Sequence, residues 1–160
     1  MPIDAAQFRA ALGLRAASVA IVTAADGERV HGMTVSDLAG VSLDPPLVLV
    51  CADKASNTLP LIEAGRCFSV NLLAVGQEAL SNRFASKEHE WTRFEGLDCP
   101  RGATGAPRIP GALASLDCAV VALHEAGDHI IVVGRVEGAT HGSGEPLLYW
   151  GGGYRRLVTG

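Results

Sequence analysis

The sequence predicts a mainly β fold with short helices, a closed or nearly closed antiparallel barrel. Two observations lead there. Apolar runs of strand length outnumber helical patterns, and they come in pairs joined by turn residues such as Asp26-Gly27 and Ala126-Gly127-Asp128. Strands and helices also fail to alternate strictly, which disfavours a doubly wound parallel sheet.

Taken in order, Asp4 to Leu14 carries Ala5, Phe8, Ala11 and Leu12 at helical spacing, with Asp4 suited to cap the start. Ser18 to Thr23 reads as a strand, and Glu28 to Thr34 as its return past the Asp26-Gly27 turn. Asp44-Pro45-Pro46 forms a rigid turn into an apolar strand, Leu47 to Ala52. A short helix follows over Thr58 to Ala64, with Pro60 in its first turn, Asn57 or Thr58 as cap, and Gly65 at a left-handed exit. Cys67 to Leu73 is a strand interrupted by the polar Asn71, and Gln77 to Ala85 is a helix with Leu80 and Phe84 on one face. Ser86 to Pro110 is the longest irregular stretch, of a length usually tied to function or mobility. Strands from Gly111 to Glu125 and from His129 to Ala139 make the second hairpin, and Leu147 to Leu157 closes the chain. No internal repeat or linker is visible, so residues 1–160 are expected to form one domain.

Composition narrows the function classes. A formal charge of −4 and a pI near 5.7 argue against a general nucleic-acid binder. No apolar run is long enough for a membrane-spanning helix, and Met1 to Gln7 lacks a signal pattern. Cys51, Cys67, Cys99 and Cys118 have no C-x-x-C spacing and read as core thiols, so a reducing, cytoplasmic setting is expected. None of the five histidines pairs with another at ligand spacing, and no metal site is expected. Glycine-rich dinucleotide and P-loop motifs, H-E-x-x-H and G-x-S-x-G are all absent.

The informative stretch runs from Gly32 to Pro60. Thr34, Ser36 and Ser42 set small hydroxyls among strand formers, and Lys54, Ser56, Asn57 and Thr58 precede a helix. A lysine beside free backbone N–H groups is an anion site, so the stretch is read as holding a phosphorylated, planar cofactor.

Seven short motifs in one order strengthen that reading: Gly32-Met33-Thr34-Val35-Ser36, Val41 to Leu47, Lys54-Ala55-Ser56-Asn57-Thr58, Phe68-Ser69-Val70-Asn71, Arg83-Phe84-Ala85, Gly127-Asp128-His129 and Pro146 to Tyr149. Together, from about Ala16 to Leu157, they resemble the flavin reductase-like family, the short NAD(P)H:flavin oxidoreductases that serve two-component monooxygenases. The resemblance implies an FMN-binding split β-barrel, a homodimer, that reduces FMN or FAD with NADH or NADPH. It implies hydride transfer from nicotinamide C4 to flavin N5, and delivery of reduced flavin by diffusion to a partner monooxygenase. Asp37-Leu38 departs from the small residue and Phe of many relatives, a change that bears on the flavin edge or on the choice of FMN or FAD.

Carried onto this chain, the resemblance puts Thr34, Val35 and Ser36 against the isoalloxazine edge, with Asp37 either beside it or only in a turn. Cys51, Asp53, Lys54, Ser56 and Thr58 surround the phosphate, Cys51 only as lining. Ser81, Arg83 and Phe84 belong to the helix that closes over the ribityl or phosphate end, Phe84 equally well as plain core. His129 is the candidate catalytic residue on the nicotinamide side, and Tyr154 stacks on or borders that site. Asn71 bonds either cofactor or strand edge. Two other functions compete: a flavoprotein that keeps its flavin and passes electrons to another acceptor, and a non-enzymatic flavin-binding module.

Overall fold

The computed structural model describes residues 1–160. Ten strands and three helices follow one another as α1 (Ala5–Leu12), β1 (Ala17–Ser18), β2 (Ala20–Asp26), β3 (Arg29–Val35), β4 (Leu38–Leu43), β5 (Pro46–Asp53), α2 (Leu59–Gly65), β6 (Cys67–Leu72), α3 (Glu78–Ala85), β7 (Ala114–Ala126), β8 (His129–His141), β9 (Leu148–Trp150) and β10 (Gly153–Arg155). A 3-10 turn, Glu90–Thr92, interrupts the long irregular stretch. No helix is long and apolar enough to cross a membrane.

Seven strands make one antiparallel sheet in the order β3-β2-β6-β7-β8-β5-β4. Its edge strands, β3 and β4, are separated in sequence by Ser36 and Asp37 alone. A two-residue link between opposite edges forces the sheet to curl until those edges meet, yet no ladder joins them. The barrel is therefore split along that seam. The closed version of the expected barrel is not realised, and β4 adds a strand between the Ser36-Asp37 link and the Asp44-Pro45-Pro46 turn. A second sheet, β1-β9-β10, lies at the N-terminal side of β2.

Alternation decides where each side chain goes. Ala20, Val22 and Ala24 of β2 enter the barrel core with Val50, Ala52, Phe68, Val70, Cys118, Val120, Ile130 and Val132, and α2 closes it with Leu59 and Ile62. The other face of β2 is buried too, because Ile21 packs with Leu73, Phe84, Ile109 and Leu147. That is why Ala20 to Ala25 is apolar but for Thr23, whose buried hydroxyl donates to the Pro107 carbonyl.

Local chemistry explains the helix ends. Asp4 accepts a hydrogen bond from the Gln7 N–H at 2.8 Å, as a cap should. α2 differs from expectation at both ends. Its first free N–H, on Leu59, donates to Ser56 Oγ at 3.2 Å rather than to Asn57 or Thr58. At its exit Arg66, not Gly65, takes the left-handed conformation (φ 54°). Gly65 is required for space instead, since a Cβ there would lie 1.8 Å from the Ala25 carbonyl oxygen. 

The irregular stretch after α3 is firmly tied down. Arg108 forms a bidentate pair with the fully buried Asp117, whose carboxylate also accepts from the Ala103 N–H at 2.9 Å. Asn71 is fully buried as well. Its Oδ1 accepts from the Ile109 N–H (2.9 Å) and the Ser115 hydroxyl (2.7 Å), and its Nδ2 donates to the Ile21 carbonyl (3.0 Å). Those bonds consume the amide, so Asn71 is a strand-to-loop fastener with nothing left for a cofactor.

Candidate active site

The split barrel opens a groove at the C-terminal end of β3, where three adjoining hollows share Thr34. One, of about 190 Å³, is lined by Thr34, Val35, Ser36 and Asp37 from the seam, Cys51 and Asp53 from β5, and His129 from β8. Seven residues read from the sequence as site residues thus line one hollow. β5 and β8 bring this about by pairing in register, Cys51 opposite Ile131 and Asp53 opposite His129. A second hollow, of about 270 Å³, continues between Thr34–Ser36 and α3, bordered by Ser81, Tyr149 and Tyr154.

The seam supplies unused hydrogen-bond donors. The N–H groups of Ser36 and Asp37 lie outside the ladders and donate to no acceptor in the protein, whereas the Asp37 carbonyl accepts from the Cys51 N–H at 3.2 Å. Thr34 differs from its expected role. Its hydroxyl donates to the Ser81 carbonyl at 2.6 Å, tying β3 to α3, so it borders the groove with its donor already spent. Asp37 is held by Arg15 at 2.5 Å, a half-exposed pair at the groove rim.

The third hollow, of about 340 Å³, lies between the Asp53–Asn57 loop and the end of α3. Ser56 and Asn57 line it, but Lys54 does not: its ammonium leans toward Glu125 (3.7 Å) and its N–H donates to the Asp128 carbonyl at 3.0 Å. Thr58 is corrected too, because it is fully buried and its hydroxyl pairs with His31 Nδ1 at 2.7 Å. The positive charge comes from Lys87 and Arg93, which the sequence reading did not single out. Nothing local in sequence marks Arg93; only folding aims its Nη1 at the Gly32 carbonyl (2.7 Å) and its Nη2 at that of Ser86 (2.9 Å).

The α3 candidates divide. Phe84 is core, edge-on to Phe94 at 5.1 Å and without solvent exposure, behind the wall of the third hollow. Arg83 lines none of these three hollows and clamps the Thr92 and Glu95 carbonyls. Ser81 is buried and pairs with the Tyr154 hydroxyl at 2.8 Å, which also donates to Asn82 Oδ1 at 2.7 Å. Tyr154 is thereby fixed at the groove wall. His129 sits at the mouth of the smallest hollow, its Nδ1 bonded to Asp128 at 2.7 Å. That bond from His129 holds the Asp128 carboxyl below its ordinary range.

Burial, with Asp37 nearby, pushes the Cys51 thiol up, so it lines the groove as a neutral group and not as a nucleophile. His31 is shifted down, first by burial and then by the Arg93 charge, against a smaller opposing pull from Glu90. A histidine depressed on folding binds its proton more readily when unfolded. Its contribution is therefore whole above the unfolded value near 6.5 and erodes as pH falls below it toward the folded one. Denaturant midpoints measured from pH 7.5 to 5.5 are expected to fall, and His31→Gln to flatten that part of the decline.

Unbonded N–H donors at the seam, beside a hollow that carries Lys87 and Arg93, suit an anionic ligand. The profile of the Flavin reductase like domain matches residues 12–158. The FMN reductase (NADH) SmoA of Agrobacterium fabrum is 42% identical over 150 residues, covering 94% of this chain and 84% of that protein. The reductase component of 4-hydroxyphenylacetate 3-monooxygenase from Thermus thermophilus is 42% identical over 152 residues, covering 94% and 95%. Among solved structures, the NADH:FAD oxidoreductase SgcE6 of Streptomyces globisporus superposes with a TM-score of 0.92 at 37% identity, covering 98% of this chain and 95% of that one. This chain belongs to the flavin reductase-like family. It is a flavin reductase, an oxidoreductase acting on FMN or FAD with a nicotinamide dinucleotide.

Proposed function

We propose that this reductase passes hydride from NADH or NADPH to FMN or FAD in the β3 groove and releases the reduced flavin to a partner monooxygenase. The observation that carries the site is the pair of unbonded N–H groups at Ser36 and Asp37, fixed by the strands on either side. Bound flavin and nicotinamide supply the redox chemistry, hydride leaving C4 of one ring for N5 of the other. The protein's residues align and stabilise. Ser36 and Asp37 aim donors where negative charge grows on the ring edge, and because the backbone is already in place no reorganisation is needed. Ser56, Asn57, Lys87 and Arg93 face the phosphoryl group. His129, oriented by Asp128, and Tyr154, oriented by Ser81 and Asn82, flank the open face where the second ring stacks.

Names of relatives support the delivery step: several are reductase components or subunits of flavin-dependent monooxygenases. The expected result is NADH consumption by colourless protein only when free flavin is added. Flavin that survives gel filtration with the protein would favour the electron-transfer alternative, and flavin binding without nicotinamide oxidation the non-enzymatic one.

A homodimer is part of the same reading. β5 is apolar on both faces, with Val48, Val50 and Ala52 turned to the core and Leu47, Leu49 and Cys51 turned outward, opposite Ile131 and Val133 of β8. Val41 and Val121, exposed in the bulges of β4 and β7, lie beside that surface. An apolar outer sheet face is covered by a partner when it is this continuous. Leu49→Lys is expected to halve the mass measured by light scattering; an unchanged mass would remove this face from the interface.

A further inference from the structure

The 340 Å³ hollow contains an acid that the proposed role of that hollow does not use. Glu90, in the 3-10 turn, points its carboxylate inward, its side chain 17% exposed. Oε1 accepts a hydrogen bond from Asn57 Nδ2 at 2.8 Å and lies 3.5 Å from His31 Nε2. His31 is 95% buried by its 5% exposure, and Nε2 has no hydrogen-bond partner. A carboxylate at 3.5 Å is too long to satisfy it. With Thr58 engaged at Nδ1, the neutral ring is best placed with its proton on Nε2, facing Glu90. Arg93, also 5% exposed, has an unpartnered Nε in the same wall, and Lys87 makes no ion pair.

Asn57 Nδ2 and His31 Nε2 thus meet the protein's own carboxylate, Glu90, in a hollow whose other acid, Asp53, already accepts from the Ala55 N–H. Resting on the reading of this hollow as the phosphoryl pocket, we propose that Glu90 is an internal competitor for the flavin phosphate, a gate that weakens the hold on phosphorylated flavin and speeds its release. A phosphoryl group approaching Asn57 meets a like charge already bonded there. It must push Glu90 outward or bind beside it, and either course lowers affinity. The 3-10 turn can give way, for it is short and Trp91, which it carries, is 78% exposed and touches His31 only edge-on at 5.7 Å. A reductase that hands on its product gains from this, because a tightly held phosphate would keep the flavin from its acceptor. Riboflavin, without a phosphate, does not feel the gate.

Glu90→Gln tests this by charge alone, since the amide oxygen keeps the bond from Asn57. Binding is measured by calorimetry without nicotinamide, with FMN and riboflavin as the two probes. The FMN Kd is expected to fall about fivefold while the riboflavin Kd stays within twofold, the worth of one charge contact. An FMN Kd that is unchanged or raised, or two Kd values that fall together, overturns the gate. Lys87→Gln separates this failure from failure of the pocket reading, because it is expected to weaken FMN and spare riboflavin. If Lys87→Gln discriminates and Glu90→Gln does not, the gate alone is wrong. If neither discriminates, the phosphate binds elsewhere and both readings fall.

Discussion

Arg108→Ala is expected to cost about 3 kcal/mol, because it strips the bidentate partner from a carboxylate that has no contact with water. Asp117 would keep the Ala103 N–H and the distant Ser69 hydroxyl, neither of which carries a full charge. For a chain of this length that loss lowers Tm by roughly 6–12 °C. The pH dependence gives the mechanism away. In the native protein burial alone would raise the Asp117 pKa, but Arg108, the Ala103 N–H and Ser69 together outweigh it and hold it low. Its stabilisation is therefore full above the unfolded value near 3.9 and disappears as pH falls below that toward the folded value. Without Arg108, burial dominates and the folded pKa rises above the unfolded one. The variant then regains stability as acid neutralises Asp117, so the gap between the two proteins narrows on acidification. Adding Asp117→Asn to Arg108→Ala should recover part of the loss at pH 7. A gap that stays constant from pH 7 to pH 4 would mean that Arg108 acts by packing alone.

Gly65→Ala is expected to be at least as damaging, although in most helices the change to alanine helps by about 1 kcal/mol. The added Cβ would sit 1.8 Å from the Ala25 oxygen and 2.9 Å from its carbonyl carbon. Both are backbone atoms of β2, which is laddered to β3 on one side and β6 on the other and has nowhere to retreat. α2 must then lift off the barrel end, breaking the cover that Leu59 and Ile62 give the core. A loss above about 3 kcal/mol is the usual scale for such a clash. Because the Ser56–Thr58 turn leads directly into α2, flavin affinity should fall along with stability. Gly142→Ala is the control, since a Cβ there meets nothing within 4 Å. Equal thermal midpoints for the two variants would contradict the described docking of α2.

Both effects fall on residues whose roles the sequence hides. Gly65 looked like a helix exit, a local feature, and proved to be a point of contact between elements forty residues apart. Arg108 and Asp117 lie in a loop and a strand, and nothing in their spacing announces a pair. The same limit applied at the site. Lys54 stood out as the lysine before a helix, yet the β7–β8 turn draws it away, while Lys87 and Arg93 arrive from beyond α3. Thr34, Ser81 and Thr58 are small polar residues suited to a ligand, and the fold spends their hydroxyls on a carbonyl, a tyrosine and a histidine.

What the sequence determined alone were the features encoded by neighbours in the chain. The Asp4 cap, the two hairpins and the strand alternation depend on residues a few positions apart, and so does the order of motifs that marks the family. Only the tertiary structure decided that β3 and β4 become opposite edges of one sheet, and that the seam between them leaves two N–H groups without acceptors. It also decided that Glu90, His31 and Asn57 share one hollow. The physical reason is that a local pattern sets which way a side chain faces. What it then meets is set by sheet closure, which joins residues with no sequence relation to one another.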